Sequence, residues 1–194
     1  AQGFDLDGLA TAVTDLTRLI FVANPNNPTG TIRTLNEVRA FLSKVPTRVL
    51  VVLDEAYADF VADPAYHGSL DLVDEFPNVV VLRRLSKTMG IAGLRVGFGA
   101  ARPEIVLALA QVQVPFNVNM LAQRAAQAAL DAHAYMNRTR EMLVAGRDFL
   151  GRELTRIGVE FVPTHANFLF IDSAVPSGEL CRRMMARGVI VRPG

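Results

Sequence analysis

One cysteine, Cys181, stands in 194 residues, so no disulfide can form within the chain, and this usage fits a reducing, cytoplasmic compartment. Histidine is nearly as scarce: His67, His133 and His165 are scattered, and with a single thiol they give no zinc-ligand spacing. An excess of either charge is also missing. Twenty Lys+Arg against 19 Asp+Glu leave a formal charge of +1, which argues against a nucleic-acid or anionic-membrane footprint. No apolar run approaches the roughly 18 residues that a bilayer span needs. The opening AQGFDLDGLATAV lacks the basic-then-apolar order of a signal peptide. There is no repeat of fixed period, no low-complexity tract and no charge block. The first residue is not Met and the last strand-like run ends at Val191, three residues from the end, so we expect a piece of a longer protein.

What is present is core. At 51% apolar residues the chain can bury a substantial interior. Short apolar runs alternate with helical patterns, which implies an α/β fold. The strand candidates are Arg18–Ala23, Val49–Leu53, Val79–Leu82 and Leu94–Phe98, and three of them are continuously apolar, as strands covered on both faces should be. A helix is predicted over Leu35–Leu42, where Thr34 and Glu37 have the spacing of a capping box. Another is predicted over Ile105–Val114, and a long helical pattern runs from Asn119 to about Ile157. Beyond Gly158 the texture changes: strands at Val159–Val162 and Phe168–Ile171, a helix at Ser177–Ala186 and a last strand at Val189–Val191. We therefore expect a domain boundary near Arg147, with 1–147 and 148–194 on its two sides.

The polar residues gather at strand ends. RLIFVA runs into Asn24-Pro25-Asn26-Asn27-Pro28-Thr29-Gly30, VLVVL into Asp54-Glu55-Ala56-Tyr57, and VVVL into Arg83-Arg84-Leu85-Ser86-Lys87. In an open parallel sheet, ligands bind outside the carboxyl ends of the strands. An amide, an acid with a phenol, and an amine should therefore meet at one edge, and Arg95 follows the lysine by eight residues. Each piece alone has a plainer reading. NPNNPTG is a good turn, Asp54 could cap the next segment, Tyr57 could be a core-edge residue, and a lone lysine is usually solvated. Arg95 could be a surface charge or could pair with Asp54 or Glu55.

Taken together, NPNNPTG, DEAY and SKTMGIAGLRVG resemble the fold-type I pyridoxal-phosphate aminotransferases, and within them most closely the histidinol-phosphate aminotransferase branch. The resemblance implies a three-layer α/β/α cofactor-binding domain with a mostly parallel sheet, followed by part of a smaller C-terminal α+β domain. It implies pyridoxal 5′-phosphate as cofactor, amino-acid and oxo-acid substrates, a homodimer, and no nucleic-acid or membrane partner. It assigns Lys87 as the amine that binds the cofactor covalently, Asp54 as the acid beneath the ring nitrogen, and Tyr57 and Asn27 as donors to the ring's phenolate oxygen. Ser86 and Arg95 would hold the phosphate. Arg84 departs from the pattern, because a small hydroxyl residue is usual three places before the lysine; a guanidinium there could still serve the phosphate. The activity implied is transamination between histidinol phosphate and imidazole-acetol phosphate, with a relative acting on aromatic or other amino acids as the alternative. A regulator that binds the cofactor without turnover is a reading of another class. A nicotinamide site fits poorly, since Gly97-Phe98-Gly99 lacks a third glycine. By itself this piece is expected to be inactive.

Overall fold

The computed structural model describes residues 3–193. Four strands form one sheet in the order β1 (Leu19–Ala23), β2 (Leu50–Asp54), β3 (Val79–Arg84) and β4 (Gly97–Ala101). The first three are parallel and β4 runs antiparallel to β3. Helices α1 (Leu6–Thr11), α2 (Leu35–Leu42) and α3 (Leu72–Glu75) precede or connect these strands, and α4 (Pro103–Gln111) packs on β4. The α/β class is thus as the sequence predicts. Then come α5 (Met120–Leu130), α6 (His133–Arg156), an antiparallel pair β5 (Glu160–Val162) and β6 (Phe170–Asp172), and α7 (Ser177–Met185). No helix among the described residues is long and apolar enough to cross a membrane.

Alternation along the strands sorts the side chains onto two faces. Ile20, Val22, Val51, Leu53, Val79 and Val81 point to one face, where Leu6, Val38, Phe41, Leu42 and Leu72 close the core. The helix over Leu35–Leu42 begins as expected: Thr34 accepts from the Glu37 N–H, and the Glu37 carboxylate accepts from the Thr34 N–H at 2.7 Å. That bond, with Arg33 beside it, holds Glu37 below its ordinary carboxylate range despite partial burial.

Three expectations are corrected. The long helix from Asn119 is two helices, broken at Asp131 and Ala132, where Ala132 leaves helical geometry at ψ 53°. Both Ala126 and Met136 are buried, yet a straight helix would set them about 80° apart around its axis; the break re-aims the second helix. The fourth strand begins at Gly97 rather than Leu94, because the chain first turns back through Ala92–Leu94 and a left-handed Arg95 (φ 55°). Val189–Val191 forms no strand: the Val189 N–H instead closes the end of α7 on the Met184 carbonyl at 3.0 Å. Arg147 lies inside the continuous α6.

The approach of β4 to β3 depends on Gly97. A Cβ there would sit 2.7 Å from the Arg83 carbonyl oxygen, which is ladder backbone and cannot give way. Gly97→Ala is expected to destabilise the fold by about 1–3 kcal/mol through this overlap. Gly93→Ala is the control, since nothing lies within 4 Å of the added carbon. Urea unfolding of the two variants checks the contrast, and equal midpoints would refute it.

Candidate active site

The strand register sets the site. Ala23, Asp54 and Leu82 form one row across the three parallel strands, so the segments that follow all leave the sheet at the same edge. Antiparallel β4 enters at that edge, with Gly97 opposite Arg84, and this places Arg95 there too, two residues before the strand.

The first segment is a self-bonded loop. Asn24, 3% exposed, braces it by donating to the Arg33 carbonyl and accepting from the Arg33 N–H. The Gly30 N–H donates to the Asn26 carbonyl at 2.7 Å, and the Asn26 N–H donates to Thr31 at 2.8 Å. Asn27 is left projecting, and its Nδ2 donates to the Tyr57 hydroxyl at 3.0 Å. Gly30, at φ 72°, also admits the second unit: a Cβ would collide with the Thr164 side chain, and the His165 N–H donates to the Gly30 carbonyl at 2.8 Å. Burial and then Arg147 hold the His165 imidazole below its ordinary range, against the pull of Asp63.

Tyr57 is the hub. The Lys87 amine lies 5.8 Å from its ring centroid, a cation–π distance. Phe168, from the loop before β6, meets the ring edge-on at 5.1 Å and 87°. Lys87 is exposed, and with Lys44 it is one of only two lysines in the sequence. Ser86 is half-buried just before it. Arg95 is exposed and donates to the Ala92 carbonyl at 2.9 Å.

Asp54 and Glu55 are consecutive, as are Arg83 and Arg84, so alternation sends one acid and one guanidinium to each face. On the core face Arg83 Nε donates to Glu55 Oε2 at 2.7 Å, with the Glu55 side chain fully buried. On the other face Arg84 Nη2 donates to Asp54 Oδ2 at 2.5 Å, with the Arg84 side chain 51% exposed. The Ala56 N–H donates to the second Asp54 oxygen at 3.1 Å. Asp54 therefore pairs with Arg84, and Glu55 with Arg83; neither meets Arg95. The two pairs differ in strength. An exposed pair is worth about 0–1 kcal/mol, whereas stripping the partner from a buried charge costs about 3–5 kcal/mol. The Arg84 guanidinium is half in solvent while Asp54 is 24% exposed, so this pair lies between the two limits; the Arg83–Glu55 pair lies at the buried one. Beside them the Tyr66 hydroxyl donates to the Asn24 carbonyl at 2.8 Å; burial first, then the Glu55 carboxylate, push that phenol well above its ordinary range.

Sequence reasoning missed Phe168, Arg83, Asp59 and Thr88. The last two share a hydrogen bond of 2.9 Å at the root of the lysine segment. Only the dense charge around DEAY and RR hinted at them; a contact between residues 29 apart leaves no periodic signal. A recess of about 720 Å³ between α6 and β5, lined in part by Arg147, Arg152 and Phe161, contains none of these groups. The candidate groups lie instead on the open edge of the sheet.

Known proteins resemble the chain as a whole. The chain is 50% identical over 191 residues to a histidinol-phosphate aminotransferase of Moorella thermoacetica, covering 98% of this chain and 50% of that protein. It is 46% identical to histidinol-phosphate aminotransferase 2 of Ralstonia nicotianae, covering 98% of this chain and 52% of the other. Among solved structures, the histidinol-phosphate aminotransferase of Sinorhizobium meliloti in complex with pyridoxal-5′-phosphate superposes with a TM-score of 0.90 at 30% identity, over 98% of this chain and 53% of that one. The fold is shared with the aspartate aminotransferase of Thermus thermophilus crystallised with maleate, at 24% identity, a TM-score of 0.86, and 98% and 52% of the two chains. This chain thus spans about half the length of the relatives it matches. The family profile of aminotransferase class I and II matches residues 1–194, and the chain belongs to that family.

Proposed function

We propose that the chain is the central and later part of a pyridoxal-phosphate-dependent aminotransferase that interconverts histidinol phosphate and imidazole-acetol phosphate, with 2-oxoglutarate and glutamate as the other pair. The observation that carries this reading is the Lys87 amine 5.8 Å from the Tyr57 ring, at the edge where β2 delivers Asp54. The names of the relatives above support this substrate, and the one solved with pyridoxal-5′-phosphate supports the cofactor.

The residues present fit that cofactor by the chemistry of the donor set. It needs an amine, an anion for a protonated ring nitrogen, donors for a phenolate, and a cation with a hydroxyl for a phosphate; Lys87, Asp54, Tyr57 with Asn27, and Arg95 with Ser86 offer these. When bound, its ring supplies the electron sink for charge that develops at the substrate Cα. Lys87 would hold the cofactor through its nitrogen and is the group that would move a proton at that carbon. Asp54 would hold a proton on the ring nitrogen through a charge-assisted bond, in exchange for its contact with Arg84. Because Asn27 donates to the Tyr57 oxygen, the Tyr57 O–H is free to donate onward, and Asn27 keeps a second N–H for the same anion. The enzyme is a cytoplasmic homodimer. Residues 1–147 belong to its large cofactor-binding domain and 148–194 to its small domain, with α6 running from one into the other.

Borohydride reduction of the full-length enzyme followed by peptide mapping should place the cofactor on Lys87 alone; label spread over several lysines would count against the assignment. Asp54→Asn should retain bound cofactor yet slow transamination by about 10²–10³-fold, the effect of losing one preorganised electrostatic partner. Single-turnover kinetics test this, and near-normal turnover would remove Asp54 from its role. Tyr57→Phe and Asn27→Ala should each move the pH midpoint of the bound cofactor's absorbance upward. A midpoint unchanged in both variants would exclude them from the phenolate.

A further inference from the structure

Asp59 lies in the single 3-10 turn Ala58–Phe60 that directly follows Tyr57. Its Oδ2 accepts from the Thr88 hydroxyl at 2.9 Å, and Thr88, 1% exposed, is the residue after Lys87. Its Oδ1 faces Arg83 Nη1 at 3.6 Å and Arg140 Nη2 at 4.0 Å. Its backbone carbonyl accepts from Arg140 Nε at 2.7 Å, which ties the turn to α6. Arg83 in turn holds Glu55, the neighbour of Asp54. One carboxylate therefore joins the turn after β2, the turn after β3 and the long helix. Two acids and two guanidiniums balance in charge, and the buried Thr88 hydroxyl gains its acceptor only from Asp59 among the hydrogen bonds described.

Neither Asp59 nor Thr88 touches the groups assigned to chemistry, yet each is within two residues of one. We infer that Asp59, through Thr88, is a positioning residue that fixes the Lys87 backbone so that its amine stands over Tyr57. This rests on the reading of Lys87 as the cofactor-binding amine. Thr88 can hold a lysine segment in place only while its hydroxyl is bonded. With valine the shape remains and the tether is lost; with serine the tether remains.

The test uses the full-length enzyme with two readouts. The first, on cofactor-free protein, is the rate at which Lys87 is acylated by acetic anhydride, read by peptide mapping. The second is the pH midpoint of the bound cofactor's absorbance. Thr88→Val should change the acylation rate by about fivefold, within the effect of one hydrogen bond on a local equilibrium, and should move the midpoint. Thr88→Ser should restore both. If Thr88→Val fails to fold in a thermal melt, Asp59→Ala against Asp59→Asn decides, because asparagine keeps an acceptor for Thr88 and should stay close to the parent. Folded Thr88→Val or Asp59→Ala protein with parental acylation rate and midpoint overturns the inference. Failure of the underlying reading would look different: the parent itself would carry no cofactor on Lys87, while the acylation rates would still report whether Asp59 positions that amine.

Discussion

The register of three parallel strands is the constraint on which the site depends. Parallel pairing sends every carboxyl end to one edge, and the row Ala23, Asp54, Leu82 sets those ends at one level. A slip of one residue in β2 would exchange its faces, turning Asp54 into the core and Leu53 out of it. Register is secured by what lies behind the edge: Val22, Leu53 and Val81 show no exposure, and their burial is worth about 1.5–3 kcal/mol per side chain. The position of the acid is thus held by apolar packing one residue away.

Charge is arranged on the same alternation. Two consecutive acids at the end of β2 and two consecutive arginines on β3 divide between the faces, giving one buried pair and one whose arginine is half in solvent. The buried pair supports the turn that carries Tyr57 and, through Asp59, the segment that carries Lys87. The second pair keeps the Asp54 charge compensated. Tyr57, held by Asn27 at its oxygen and flanked by Lys87 and Phe168 at its ring, draws together both parts of the chain. The segment between β5 and β6 contributes through Phe168 and through His165 on Gly30, so the site is not a property of the four-stranded sheet alone.

Part of the apolar surface lies on the sheet edge and on the loop before α5. Leu19 and Phe21, on edge strand β1, are 45% and 63% exposed, and Phe116 is fully exposed.

Local chemistry was legible in the residues themselves. The α/β class, the helix over Leu35–Leu42 with its Thr34 cap, and the strand ends that carry Asn27, Asp54, Tyr57 and Lys87 follow from periodicity, capping and turn composition, because those signals act over a few neighbouring residues. The break at Asp131, the late start of β4 and the missing strand at Val189 were not legible. Each rests on a backbone detail, a non-helical Ala132, a left-handed Arg95 and a Val189 N–H turned back onto Met184, that the residue pattern does not encode. The pairing of Arg84 with Asp54, of Arg83 with Glu55 and of Thr88 with Asp59 belongs to the same class, since residues about 30 apart meet only when strands align. The sequence by itself determined which groups are available and the strand ends from which they leave; the tertiary structure decided which of them touch, because contact energies depend on distances that only the packed sheet sets.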